Sequence, residues 1–274
     1  MDYVILTLLF VAIGFVIFKF NKNGKKEFKP IISDKERAEI ERKAEKDRPE
    51  SSTKSVQEPQ KEDTSKTILP SKNFTLELNR FKSFFDNESV ELIQFMRNGI
   101  QKSNAQNYRG ALEDFSHAVE LKPFEPTVHY CRGIVKLILK NFESAISDFT
   151  EAIRLQINEQ NVFFYRGLAN YGAKDFDYAI IDFSRFVKSA SNFAEVYFNL
   201  ALCYKQKRDY QKAIQFFTET INKNPRYEVA YFERALLKNK IEDKEGCCRD
   251  LKKAMEMGHL EAYHYIKEFC EVQN

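Results

Sequence analysis

Two groups of side chains in this 274-residue sequence carry reactive or ligating chemistry. His117, His129, His259 and His264 are the imidazoles that could hold a metal or move a proton. No two of them stand four residues apart with a carboxylate beside them, the spacing that places a metal site on a helix. The five cysteines, Cys131, Cys203, Cys247, Cys248 and Cys270, are odd in number and have no C-x-x-C spacing. That pattern reads as reduced, buried thiols in a cytosolic compartment rather than a disulfide framework. Adjacent Cys247 and Cys248 are the unusual feature; packing explains them, and a redox role stays open. The sequence contains no phosphate loop, nucleophile elbow or dinucleotide fingerprint. These residues point to no enzyme, no metal and no cofactor. A net charge of +3 leaves no nucleic-acid footprint either.

The order in the chain lies in its spacing. A period of 34 residues runs without insertion over five units, 92–125, 126–159, 160–193, 194–227 and 228–261. Place eight holds Gly99, Gly133, Gly167, Ala201 and Ala235, and place twenty holds Ala111, Ala145, Ala179, Ala213 and Cys247. Place twenty-four holds Phe115, Phe149, Phe183, Phe217 and Leu251. Small residues at two places let a pair of helices approach, and the large one fills their seam. One such pair cannot bury its own apolar face, so successive pairs must stack.

Charge follows the same frame. Places seven and twenty-three read Asn98 with Asp114, Arg132 with Asp148, Arg166 with Asp182, Leu200 with Phe216, and Arg234 with Asp250. Wherever the first is Arg the second is Asp, and the apolar partner meets an apolar partner. Concerted change of this kind predicts contact between the two helices of a unit, as structural ion pairs rather than a charged binding ladder.

The repeated segments, among them NYRGALEDFSHAVELKP and DYQKAIQFFTETINKNP, resemble the second helix of the tetratricopeptide repeat family, and the last unit is similar to the terminal unit of many bacterial members. The resemblance implies an all-α, right-handed superhelical solenoid of five helix-turn-helix units. Leu260, Tyr263, Ile266 and Phe269 stand at helical spacing, so 260–274 is expected to cap the open end. Residues 78–91 would supply an extra helix before the first unit.

In this family the concave face is lined by places two, five, nine, twelve and thirteen. The resemblance therefore implies an apolar groove for a peptide or helix, formed by Met96, Tyr130, Ile134, Phe164, Leu168, Phe198, Leu202, Phe232 and Leu236. Packing between helices would use the same stripe equally well. Some relatives clamp acidic EEVD-type chaperone tails with Lys and Asn at places five and nine. Those residues are absent here, so such tails are not expected as partners.

Val4 to Phe18 carries no charge and is built almost wholly of Val, Ile, Leu and Phe. Residues 3–20 are expected to form a single-pass membrane anchor. A cleaved signal peptide competes, but Asp2 and the bulky residues after the apolar run disfavour it. Lysines after the segment would keep the repeats cytoplasmic. Residues 21–77, highly charged and poor in large apolar side chains, read as a disordered tether. The functional expectation is a membrane-tethered adaptor that binds a protein or peptide; a component of a protein-import receptor is the alternative.

Overall fold

The computed structural model describes residues 88–270. The expected anchor at 3–20, the tether at 21–77 and most of the extra helix at 78–91 lie outside them. Among the described residues no helix is long and apolar enough to cross a membrane. That finding overturns the expected membrane localisation: each described helix has 10–15 residues, too few for the roughly 20 that a span requires.

The described chain contains eleven α-helices and no strand. They are α1 (Val90–Asn104), α2 (Tyr108–Leu121), α3 (Pro126–Ile138), α4 (Phe142–Arg154), α5 (Asn161–Gly172), α6 (Phe176–Val187), α7 (Ala194–Gln206), α8 (Tyr210–Lys223), α9 (Glu228–Lys240), α10 (Lys244–Glu256) and α11 (Leu260–Phe269). Each helix packs on the one before and the one after it, and α3 touches α5 as α5 touches α7. The first helices of successive units therefore run side by side along one face.

The turn inside each unit has one recurring geometry. At place fifteen Gln106, Lys140, Lys174, Arg208 and Glu242 all adopt the left-handed conformation, with φ between 60° and 66°. The next amide then reaches back to a carbonyl five residues earlier, as from Asp175 to Asn170 at 2.8 Å and from Asp243 to Lys238 at 2.9 Å. This arrangement satisfies carbonyls that the end of the first helix would leave open. Place sixteen starts the second helix: the side chains of Asn107, Asp209 and Asp243 accept from the amides of Gly110, Lys212 and Gly246 at 2.9–3.1 Å. A left-handed non-glycine residue costs about 1–2 kcal/mol, of which the entropy of a glycine returns part. Lys174→Gly is thus expected to raise stability by about 0.5–1 kcal/mol in urea denaturation. An unchanged or lowered midpoint would show that the Lys174 side chain contributes more than its backbone strain costs.

The seam is closed by apolar contact. Phe115, Phe149, Phe183, Phe217 and Leu251 are wholly buried, as are Ala111, Ala145, Ala179, Ala213 and Cys247. A Cβ at Gly167 would lie 2.7 Å from Phe183 Cε1, so the absence of a side chain there sets the interhelical distance. A continuous core runs from Leu92 to Leu237. The last unit has a second cluster of its own, Phe232, Ala235, Cys247, Leu251, Ala254 and Ala262, which α11 covers.

The cysteines divide, and this corrects the expectation of five reduced thiols. Cys131, Cys203 and Cys247 are free and buried, whereas Cys248 on α10 and Cys270 at the end of α11 form a disulfide. The capping helix brings their Cα atoms to 5.7 Å although they stand 22 residues apart in the chain.

Candidate functional site

The charged places form a ladder between the two helices of a unit. Arg132, Arg166 and Arg234 each donate twice to Asp148, Asp182 and Asp250, at 2.7–2.9 Å. The aspartates are 2–4% exposed. Place eleven adds a third donor: Lys136 and Lys238 reach Asp148 and Asp250 at 2.8 Å, and Asn170 reaches Asp182 at 3.0 Å. In the first unit Lys102 alone pairs with Asp114, at 2.8 Å. Arg166 and Arg234 also donate to Thr150 and Thr218 of the preceding unit, at 3.2 and 2.9 Å. These cations are therefore occupied in holding helices together, which leaves little charge for a ligand.

Electrostatics differ along the ladder. Burial alone would raise the Asp148 carboxyl, but His129, Arg132 and Lys136 together hold it down at about 2. At Asp182 burial wins over Arg166 and Asn170 and pushes the carboxyl up. His129 Nε2 lies 2.7 Å from the Pro123 carbonyl and its Nδ1 3.9 Å from Asp148. Its pKa is raised, first by the nearby Asp148 carboxylate. The stability this contributes is complete below the ordinary histidine pKa of about 6.5 and is lost as pH rises through the raised value. Wild-type protein is expected to lose urea resistance over that interval, while His129→Phe, which copies place four of other units, does not. Parallel curves for the two proteins would refute this role for His129.

Of the two roles left open for the expected groove residues, packing is the one their burial displays. Met96, Tyr130, Ile134, Phe164, Leu168, Phe198, Leu202 and Phe232 are buried, with exposures of 0–8%; Leu236 is half-buried. The reason is geometric. Phe198 packs 5.5 Å from the seam ring of Phe217 and stacks at 5.0 Å on Tyr227, where the next unit begins. Phe164 does the same with Phe183 and Phe193, at 5.8 and 5.4 Å. Place five thus fills the junction between units and forms the floor of the face.

Ligand-accessible atoms come from the flanking rows. Place two presents Ile93, Thr127, Asn161, Glu195 and Val229, all half-buried. Place thirteen presents Asn104, Gln206 and Lys240 at the surface, with Ile138 half-buried. Hydroxyl and amide groups at the middle of this face match the hydrogen-bonding needs of a peptide backbone. Sequence reasoning missed one contact on this side: Lys205 Nζ lies 2.5 Å from Oε2 of the fully buried Glu233, joining α7 to α9. The pair occurs once in the array, so periodicity carried no signal for it. Among the described residues no group of three or more His, Cys, Asp or Glu could hold a metal.

Residues 194–227 match the sequence profile of the tetratricopeptide repeat (TPR). The described array has the TPR fold. No curated protein matches the chain at a significant level. Among solved structures, the TPR array is similar to the MamA RS-1 ArsTM double mutant, with a TM-score of 0.60, 17% identity, and coverage of 63% of this chain and 97% of that one. It is also similar to YrrB, described as a TPR protein with an unusual peptide-binding site, at a TM-score of 0.58, 21% identity, and coverage of 68% and 96%. MamA 41-end from Desulfovibrio magneticus RS-1 gives 0.59, 16%, 62% and 96%. At these identities the likeness establishes the TPR fold.

Proposed function

We propose that this protein is a protein-binding adaptor whose ligand, an extended peptide or a helix, lies along the first helices of the units. The observation that supports the reading is the half-exposed row of Thr127, Asn161 and Glu195 over a buried floor of rings. A stiff face with accessible hydrogen-bonding groups selects a peptide by contacts that need little reorganisation. YrrB, of similar fold, is described as having a peptide-binding site. Places five and nine carry Met, aromatic or aliphatic residues instead of Lys and Asn, so acidic EEVD-type tails are outside the proposed ligand class.

A photo-crosslinker at Asn161 or Glu195 is expected to trap one defined partner, whereas one at Ser144 or Gln215, exposed on the second helices, is not. A synthetic peptide from the trapped region should then bind the purified protein, and Asn161→Lys should weaken it at least about tenfold by closing the row with an unpaired charge. Equal trapping from both helix layers, or binding indifferent to Asn161, would refute the assignment of this face.

A further inference from the structure

The disulfide sits where little else holds the chain. Helix α11 has ten residues, and isolated helices below about 12–15 residues are marginal in water, so its helicity depends on docking. That docking is thin. Ala262 is its one fully buried side chain, with Tyr265, Ile266 and Phe269 partly buried against the last unit. Leu260 is 86% and Tyr263 49% exposed. The cluster that α11 covers is distinct from the main core and meets it through Tyr231, so opening it exposes the last unit first. The bond from Cys248 to Cys270 ties the far end of this helix to α10, and both residues are half-buried, within reach of solvent thiols.

The other cysteines are removed from that chemistry. Cys131, Cys203 and Cys247 are 0% exposed. Burial pushes the Cys247 thiol up to about 11, so it stays protonated next to Cys248 and is a poor nucleophile. A reductant therefore meets one reactive bond and no competing thiol.

We propose that Cys248 and Cys270 form a reversible thiol–disulfide site served by a dithiol reductant, and that reduction undocks α11 from the end of the array. A thiolate of the dithiol attacks one sulfur and breaks the protein disulfide, giving a mixed disulfide. Its second thiol closes on the first and expels the remaining cysteine. Two electrons and two protons pass from the dithiol, which becomes a cyclic disulfide, to give free Cys248 and Cys270 thiols. The site is independent of the ligand proposed for the groove, and its test uses neither ligand nor binding.

The test is a dithiothreitol titration of the full chain, read by N-ethylmaleimide labelling with mass spectrometry and by hydrogen exchange. Reduction under native conditions is expected to add two labels, at Cys248 and Cys270. Exchange of the amides of 261–270 is expected to quicken by about tenfold or more while α3 to α6 stay unchanged, the signature of local opening. Cys270→Ser should show the fast exchange with or without reductant. Three results would overturn the proposal: thiols at both positions after incubation with oxidised glutathione, equal exchange of 261–270 in both states, or faster exchange throughout the array.

Discussion

Asp182→Ala is expected to destabilise the protein by about 3–5 kcal/mol, because it leaves the Arg166 guanidinium at a largely buried seam with neither carboxylate oxygen. The loss counts the Coulomb attraction less than the desolvation that nothing then offsets. The protein contains the remedy at the equivalent places of its fourth unit. There Leu200 stands for Arg, Phe216 for Asp and Tyr204 for the place-eleven donor, with Tyr204 stacked on Phe216 at 5.3 Å. The triple change Arg166→Leu, Asn170→Tyr, Asp182→Phe is therefore expected to recover most of the loss, since a well-packed apolar set can replace a buried ion pair at little cost. Urea midpoints of wild type, single and triple variants decide it. A triple variant no better than Asp182→Ala would show that the ion pair itself, rather than satisfaction of the buried groups, holds the seam.

Phe183→Ala is expected to cost about 3–5 kcal/mol, the range for an emptied aromatic core site. Phe183 is wholly buried, meets the backbone at Gly167 and lies 5.8 Å from Phe164, which carries the contact on to Phe193. Its removal weakens both the third unit and the junction to the fourth. In an array of units coupled only to neighbours, a weak central unit divides the cooperative block. The variant is accordingly expected to unfold in two steps where the wild type shows one. A single transition displaced by less than about 1 kcal/mol would mean that the cavity collapses without loss.

What could be read from the sequence depended on whether a residue's type or its company carried the information. The seam was visible because Gly or Ala opposite Phe is a volume relation that recurs every 34 residues. The change from Arg with Asp to Leu with Phe carried spatial information because two places altered together. The left-handed turn left no trace in residue type: Gln, Lys, Arg and Glu fill place fifteen, and no glycine marks it. The groove stripe stayed open to two readings in the sequence because an aromatic ring at place five satisfies a junction floor as well as a ligand wall; the approach of Tyr227 and Phe193 brings out the packing role. The disulfide was hidden by an odd cysteine count and by a pairing that exists only once α11 folds back on the last unit.

The arginines that cross between units give the array a mechanical character. Polar fasteners join the second unit to the third through Thr150 and the fourth to the fifth through Thr218. Between the third and fourth units the corresponding places are Ser184 and Leu200, and the polar contact passes instead from Lys207 to Asp177. An arginine that grips a carboxylate of its own unit and a hydroxyl of the unit before it holds their relative orientation, whereas a lysine ammonium is a point charge on a flexible stem. The array is thus a chain of unlike rivets rather than a uniform rod.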